Sequence, residues 1–240
     1  MSIGIYSALS GLKMKEQELD VVAHNMANVN TTGFKEQTMT FEAVMSKNNQ
    51  DNEVTPFVQI GEENINFQNG SVFGTQNPLD LALQGEGFFE VQNEKGSFLT
   101  RNGAFVLNQN GELVNSTGAK VMGENGPIVI GVGSNVQIAT SGAITVDGED
   151  KGRIRVIKVS DPKKIHSAGS TLYRVDPDAS IEKDETSQVF QGKLEQSNTN
   201  IMQSLVKLID ISRQYQSYQK FISNQNKLEQ ESVSSLGRIG

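Results

Sequence analysis

The stretch HNMANVNTTGFK, residues 24–35, decides how this chain is read. Its His, Asn, Thr and Gly residues suit a catalytic loop, a nucleic-acid contact or a helix terminator. What precedes it settles the matter. Ile5, Leu9, Leu12, Leu19, Ala23 and Met26 recur at spacings of three and four, with Glu16 the one polar break. That is the period of an amphipathic helix. Lys13, Lys15, Gln17 and Asp20 lie on its opposite face. The stretch is then a stop signal. Asn28, Asn30 and Gly33 tolerate left-handed backbone angles and turn the chain, and Phe34 is expected to pack where the chain leaves the helix. Gly11 reads as a weak point, costing ~1 kcal/mol against Ala inside a helix.

Beyond this corner the pattern changes. Residues 36–77 read as an extended connector that includes the polar, turn-rich and mobile run MSKNNQDNEVT. From Leu79 to about Val159 short period-two runs follow one another: LDLAL, FFEVQ, SFLTR, AFVLN, AITV and RIRVIKV. Turn residues in GEG, NEKG, QNG and STG separate them. Many short strands at near-regular spacing predict an antiparallel β domain over 78–180. A return connector is expected over 181–196 and a second helix over 197–240. Ser197, Asn198 and Asn200 are candidate N-caps. In that helix Ile201, Leu205, Leu208, Ile211, Tyr215, Tyr218 and Ile222 come close to a heptad seam. The tail SSLGRIG is expected to fray.

The fold class expected is therefore α+β. Long N- and C-terminal helices, over 1–35 and 197–240, pack together as a coiled-coil-like core layer, with the antiparallel β domain between them in sequence. Neither helix can bury its apolar stripe alone, because an isolated helix is marginal in water.

Composition narrows the function. The 240 residues carry a net charge of −7, which disfavours general nucleic-acid binding. Residues 1–35 hold three bases and three acids, and residues 195–240 five bases and four acids, so the middle carries −8. Near-neutral ends can pack against like copies without strong repulsion, and an acidic middle stays soluble. There is no cysteine, which excludes disulfides, thiolate catalysis and zinc–thiolate sites. No apolar run approaches the ~20 residues of a membrane-spanning helix. The start MSIGIYSALSGLKMKEQ has neither a basic leader nor an uninterrupted apolar segment, so no cleaved signal peptide is expected.

The motifs that could carry chemistry do not develop. SGLK at 10–13 matches S-x-x-K without its companion motifs. GEGFF and GVGS lack the full G-x-G-x-x-G, and DGED at 147–150 fails the calcium-loop pattern and reads as a solvated turn. His24 and His166 have no accompanying carboxylate pattern. Tyr215, Tyr218 and Phe221 fall at helical spacing, which favours packing over base stacking. No catalytic, cofactor or metal site is expected.

Three segments then carry a family resemblance: ALSGL…LDVVAHNMANVNTTGFKEQ, PLDLALQGEGFFEVQ…FLTRNGAFVLNQNGELVNSTGAKVMGENGPIVI, and VFQGKLEQSNTNIMQSLVKLIDISRQYQSYQKFI. In this order they resemble the bacterial flagellar basal-body rod and hook proteins. Arg213, Tyr215, Lys220 and Ile222 fit the family pattern. His24 stands where a small polar residue is usual, and Gln203, Ser204 and Gln216 stand where the family commonly has Glu. A single β domain with a short connector is most similar to the proximal-rod members, with distal-rod or hook-type members next.

The resemblance implies a structural subunit. Such a protein is exported unfolded through the flagellar type III apparatus and polymerises helically into the periplasmic rod. It works as drive shaft and export channel, with its own copies and other rod subunits as partners and no nucleic acid or small-molecule substrate. The subunit-interface residues expected are Ile5, Leu9, Leu12, Leu19, Met26, Ile201, Leu205, Leu208, Tyr215 and Ile222. The other reading weighed is a surface β-domain adhesin with helical anchors.

Overall fold

A computed structural model describes residues 3–47, 54–131, 135–169 and 171–236. The fold is α+β with two helices and a mostly antiparallel β domain. Helix α1 spans Ile3–Ala27 and helix α2 spans Ile201–Leu236. The chain forms two compact units. One gathers α1, the strands Gln37–Lys47 and Val54–Ile65 up to Asn64, and α2. The other comprises Asn28–Glu36 and Ile65–Thr199.

In the helical unit α1 packs against α2. Of the three candidate caps, Asn200 starts α2: its Oδ1 accepts the N–H groups of Met202 at 3.1 Å and Gln203 at 3.2 Å. Two donors without intrahelical partners are thereby satisfied, which places the helix start at Ile201 rather than Ser197. Residues 36–77, read as an extended connector, instead contain paired strands, Gln37–Lys47 with Val54–Ile65, and the short strand Val72–Gly74. The β-branched and aromatic residues in TFEAV and TPFVQI suit a ladder. The middle of the run read as mobile, residues 48–53, lies outside the described residues, as do 132–134 of GVGS and the tail from 237.

In the β unit the strands Ile165–Ser167, Leu172–Val175, Gly96–Thr100, Phe88–Asn93, Lys120–Gly123, Leu113–Val114 and Val106–Leu107 lie side by side. Each recorded pairing is antiparallel. Val91 stands opposite Phe98 on one neighbour and Val121 on the other, so one face of the sheet is continuously apolar. A separate sheet joins Val136–Ile138, Ala143–Val146 and Glu149–Arg153. The main core gathers Leu81, Phe89, Val91, Phe105, Leu113 and Ile144, all almost fully buried. The region expected as a return connector also joins the β structure. Gln188–Gln191 pairs with Leu81–Gln84, and Lys193–Glu195 pairs with Val72–Gly74.

The turns follow the chemistry of their residues. Asp147 and Gly148 take φ of 48° and 88° between two strands, as a two-residue hairpin turn requires. Asn115 Oδ1 accepts the N–H groups of Thr117 and Ala119 and so closes the STG turn locally. Asp184 does the same on a larger scale. Its carboxylate accepts from the N–H and hydroxyl of both Thr186 and Ser187, and Ser187 Oγ in turn accepts from Gly87 N–H at 3.0 Å.

Burial works to raise the Asp184 pKa, but the Ser187 and Thr186 hydroxyls and the two backbone N–H groups outweigh it and bring the pKa from 3.8 down to about 2. A carboxylate depressed in the folded state contributes stability that is complete above its unfolded pKa and is lost as pH falls through the folded value. Denaturant midpoints measured from pH 7 to pH 2 should therefore show a loss of about 2 kcal/mol between pH 5 and 2 that is absent in Asp184→Asn.

Candidate assembly surfaces

Ser212 apart, the less exposed positions among the described residues of α2 are Ser204, Leu208, Ile211, Tyr215, Tyr218, Ile222 and Gln225. Their spacing alternates four and three, the period of a heptad seam. Ile211 is buried, and Leu208, Tyr215 and Ile222 are half-buried. On α1, Ile5, Ala8 and Val22 are buried, and Leu12, Leu19 and Met26 are half-buried. Three residues expected in the seam stand outside it: Leu9 is 43% exposed, Leu205 39% and Ile201 45%. The small residue Ser204, 5% exposed, takes the position assigned to Leu205. Hydrophobicity marked Leu205, while helix geometry turns Ser204 inward, four residues before Leu208.

Gly11 is no weak point here. It lies against the Tyr218 ring, and a Cβ built on it would come 2.9 Å from Cε1. The missing side chain is what admits the tyrosine. Asn25, buried near the end of α1, was not singled out by its sequence context. Its Oδ1 accepts from Gln37 N–H at 2.9 Å and its Nδ2 donates to Gln37 C=O at 2.7 Å. One amide side chain thus pairs both backbone groups of the residue that opens the strand Gln37–Lys47. An Asn on the apolar side of a helix was the available signal.

The second arrangement lies wholly in the β unit, in the last part of the stretch HNMANVNTTGFK. Thr31 N–H donates to Asn28 C=O at 3.0 Å, closing a turn after α1. Asn30 is exposed, Gly33 has φ +67°, and Phe34 is buried at 1% exposure. A Cβ on Gly33 would fall 2.3 Å from the Asn102 backbone nitrogen, so the position requires both the left-handed angle and the empty space. Gly33 N–H donates to Glu195 C=O at 2.8 Å.

The adjacent Lys35 is fully buried. Its Nζ donates to Glu195 Oε1 at 2.6 Å and to Gln68 C=O at 2.7 Å. Gly70 N–H donates to the same carboxylate oxygen at 2.8 Å. The Arg101 guanidinium stands 3.8 Å from the other oxygen, donates to Gly85 C=O at 2.8 Å, and lies 4.8 Å from the centre of the Phe88 ring. Burial lowers the Lys35 pKa. The Glu195 charge and hydrogen bond oppose that shift, and the Arg101 charge adds to it. Asn198 completes the joint: Oδ1 accepts from Glu36 N–H, and Nδ2 donates to the carbonyls of Asn66 and Gln68. Lys35, Arg101 and Glu195 carry no local sequence signal, because charges so far apart in the chain read as solvated.

Among the described residues no group of three or more His, Asp and Glu side chains could hold a metal ion, and no helix is long and apolar enough to cross a membrane. The arrangements found join backbone segments and helix faces.

Comparison with known proteins agrees segment by segment. Residues 5–35 match the family described as flagella basal body rod protein. Residues 82–146 match the flagellar hook protein FlgE/F/G D1 domain, and residues 191–236 the flagellar basal body rod FlgEFG protein C-terminal region. The flagellar basal-body rod protein FlgF of Caulobacter vibrioides is 34% identical over 244 aligned residues, covering all of both chains. FlgF of Rhizobium meliloti is 29% identical over 99% of each chain. FlgG of Bacillus subtilis is 28% identical over 96% of this chain and 97% of its own.

Because two buried cations share one carboxylate, their substitutions should differ in cost. Glu195→Gln leaves both cations without a counter-charge and should cost about 3–5 kcal/mol. Lys35→Met leaves Arg101 to balance Glu195 and should cost less. Chemical denaturation of the full chain measures both, and the order Glu195→Gln worse than Lys35→Met is the expected result.

Proposed function

The chain belongs to the flagellar basal-body rod protein family and is a structural rod subunit, and from that premise we propose that it is a proximal-rod, FlgF-type member that polymerises helically. In this reading α1 and α2 form a coiled-coil-like core layer of a periplasmic rod. The working parts are the two units: α1, the paired strands within 37–64 and α2 in one, and residues 28–36 with 65–199 in the other. The subunit passes unfolded through the flagellar type III apparatus. It joins copies of itself and other rod subunits, and its work is mechanical rather than catalytic. The end-to-end match with FlgF at equal length favours the proximal over the distal position.

The observation that carries this reading is the unpartnered face of α2. Met202, Val206 and Ile209 are exposed on the side of α2 turned away from the seam, with Leu205 exposed beside them and Ile201 exposed at the helix start. A helix apolar on two sides is built for a second neighbour. Assembly supplies one, and head-to-tail contacts that do not close make a filament.

Leu205 and Leu208 separate assembly from folding. Leu205→Asp charges only the exposed face, so the purified chain should keep wild-type helix content by circular dichroism. In a flagellated host lacking its own copy, the wild-type gene should restore swimming, and Leu205→Asp should leave motility at the level of the host alone. Leu208→Asp places the charge in the α1–α2 seam and should lower helix content as well. Normal incorporation of Leu205→Asp into basal bodies would remove the outer face of α2 from the assembly.

A further inference from the structure

Beside their seam, α1 and α2 border a groove of about 750 Å3. α1 lines it with Gly4, Ser7, Ala8 and Gly11, and α2 with Tyr218 and Phe221. Met14 closes one end of the α1 wall and the Tyr218 ring covers Gly11, while Gly4 and Ser7 leave the other end with little side chain above the backbone, where large apolar side chains can approach closely. The groove is not filled from within the unit, and Phe221 stays 44% exposed at its edge. The opposite shape occurs earlier on α2. Met202, Val206 and Ile209, at spacings of four and three, form a ridge of large apolar side chains with Leu205 beside it.

Ridge and groove cannot meet within one molecule. Val206 and Phe221 belong to the same unbroken helix, 15 residues apart, which is about 22 Å along its axis. A helix does not fold back on itself, so the two surfaces can meet only between molecules. Charge agrees with the fit, since Arg213 borders the groove and Asp210 adjoins Ile209 on the ridge.

We propose that the groove between α1 and α2 receives the Met202–Val206–Ile209 ridge of a second copy of this chain. The inference rests on the rod-subunit reading and specifies its contact. Each copy offers one groove and one ridge, and in a rod the contact is used head-to-tail, one copy's ridge in the next copy's groove. It repeats from copy to copy without using up either surface at the growing end.

The absence of cysteine makes the contact directly testable. Ser7→Cys is placed on the groove, combined in turn with Met202→Cys, Val206→Cys and Ile209→Cys. Each full-length double variant replaces the host's own copy, and isolated basal bodies are treated with a mild oxidant. At least one register should give a ladder of disulfide-linked multimers of this chain, while each single variant stays monomeric. If all three double variants incorporate and none cross-links, the groove–ridge contact is wrong and the rod reading stands. Equal cross-linking by a single variant would mean a symmetric contact and also overturns the proposal. If even the wild-type chain fails to enter basal bodies, the rod reading itself fails. Ser7→Cys changes one atom and the ridge sites are exposed, so incorporation of each variant reports that it has folded.

Discussion

One buried carboxylate organises the β unit. Glu195 is 160 residues from Lys35, yet its side chain bonds the Lys35 ammonium and the Gly70 N–H and faces the Arg101 guanidinium. A buried ion pair contributes little net stability, because desolvation consumes much of the attraction. What it contributes here is register. Residues 33–36, 66–70 and 193–198 lie side by side through Gly33 with Glu195, Asn66 with Glu36, and Asn198 with Glu36, Asn66 and Gln68. Slipping any of these segments by one residue would strand a buried charge, at a cost of several kcal/mol. The ions therefore fix which residues enter and leave the β unit together, while the apolar core around Phe89, Val91 and Phe105 supplies the bulk of its stability.

The helical unit rests on weaker means. Its seam runs from Ser204 to Gln225 and contains only three aliphatic positions, Leu208, Ile211 and Ile222. α2 has 36 residues and α1 only 25, so α2 is the longer by three turns. Helices draw most of their stability from packing. With a sparse seam and five large side chains exposed near its N-terminus, α2 draws only part of that packing from α1. Gly11 fits the same account: it gives up helix propensity so that the Tyr218 ring can sit directly on the α1 backbone.

The order helix, β domain, helix was legible because both periods are long and clear. So was the corner at residues 28–34, where Asn and Gly announce a stop in any setting. The N-cap was legible as a choice of three and decided only by geometry, since Asn198 is drawn to the Glu36, Asn66 and Gln68 backbone and Asn200 is left to cap. Leu205 was misplaced because a pattern search follows residue type, and a small Ser204 can fill an inward position where two helices approach. The strands at 37–65 and 188–195 read as connectors because their partners lie in other segments, and a local window cannot weigh distant pairing. The Lys35, Arg101 and Glu195 set escaped for the same reason: only the closed fold brings the three charges together.

The two units also divide what a substitution can do. In the β unit the core around Leu81, Phe89, Val91 and Phe105 is covered, and the entering and leaving segments are fixed by the Lys35–Glu195 pair. Changes there act on folding. On α2 the outward residues Met202, Val206 and Ile209 stand exposed, and leaving them apolar carries a cost in solubility that a lone monomer would have no reason to bear. A structural subunit has one. Under the assembly proposed above, large side chains that stay exposed on its own fold would be the surface on which the next molecule gains its burial.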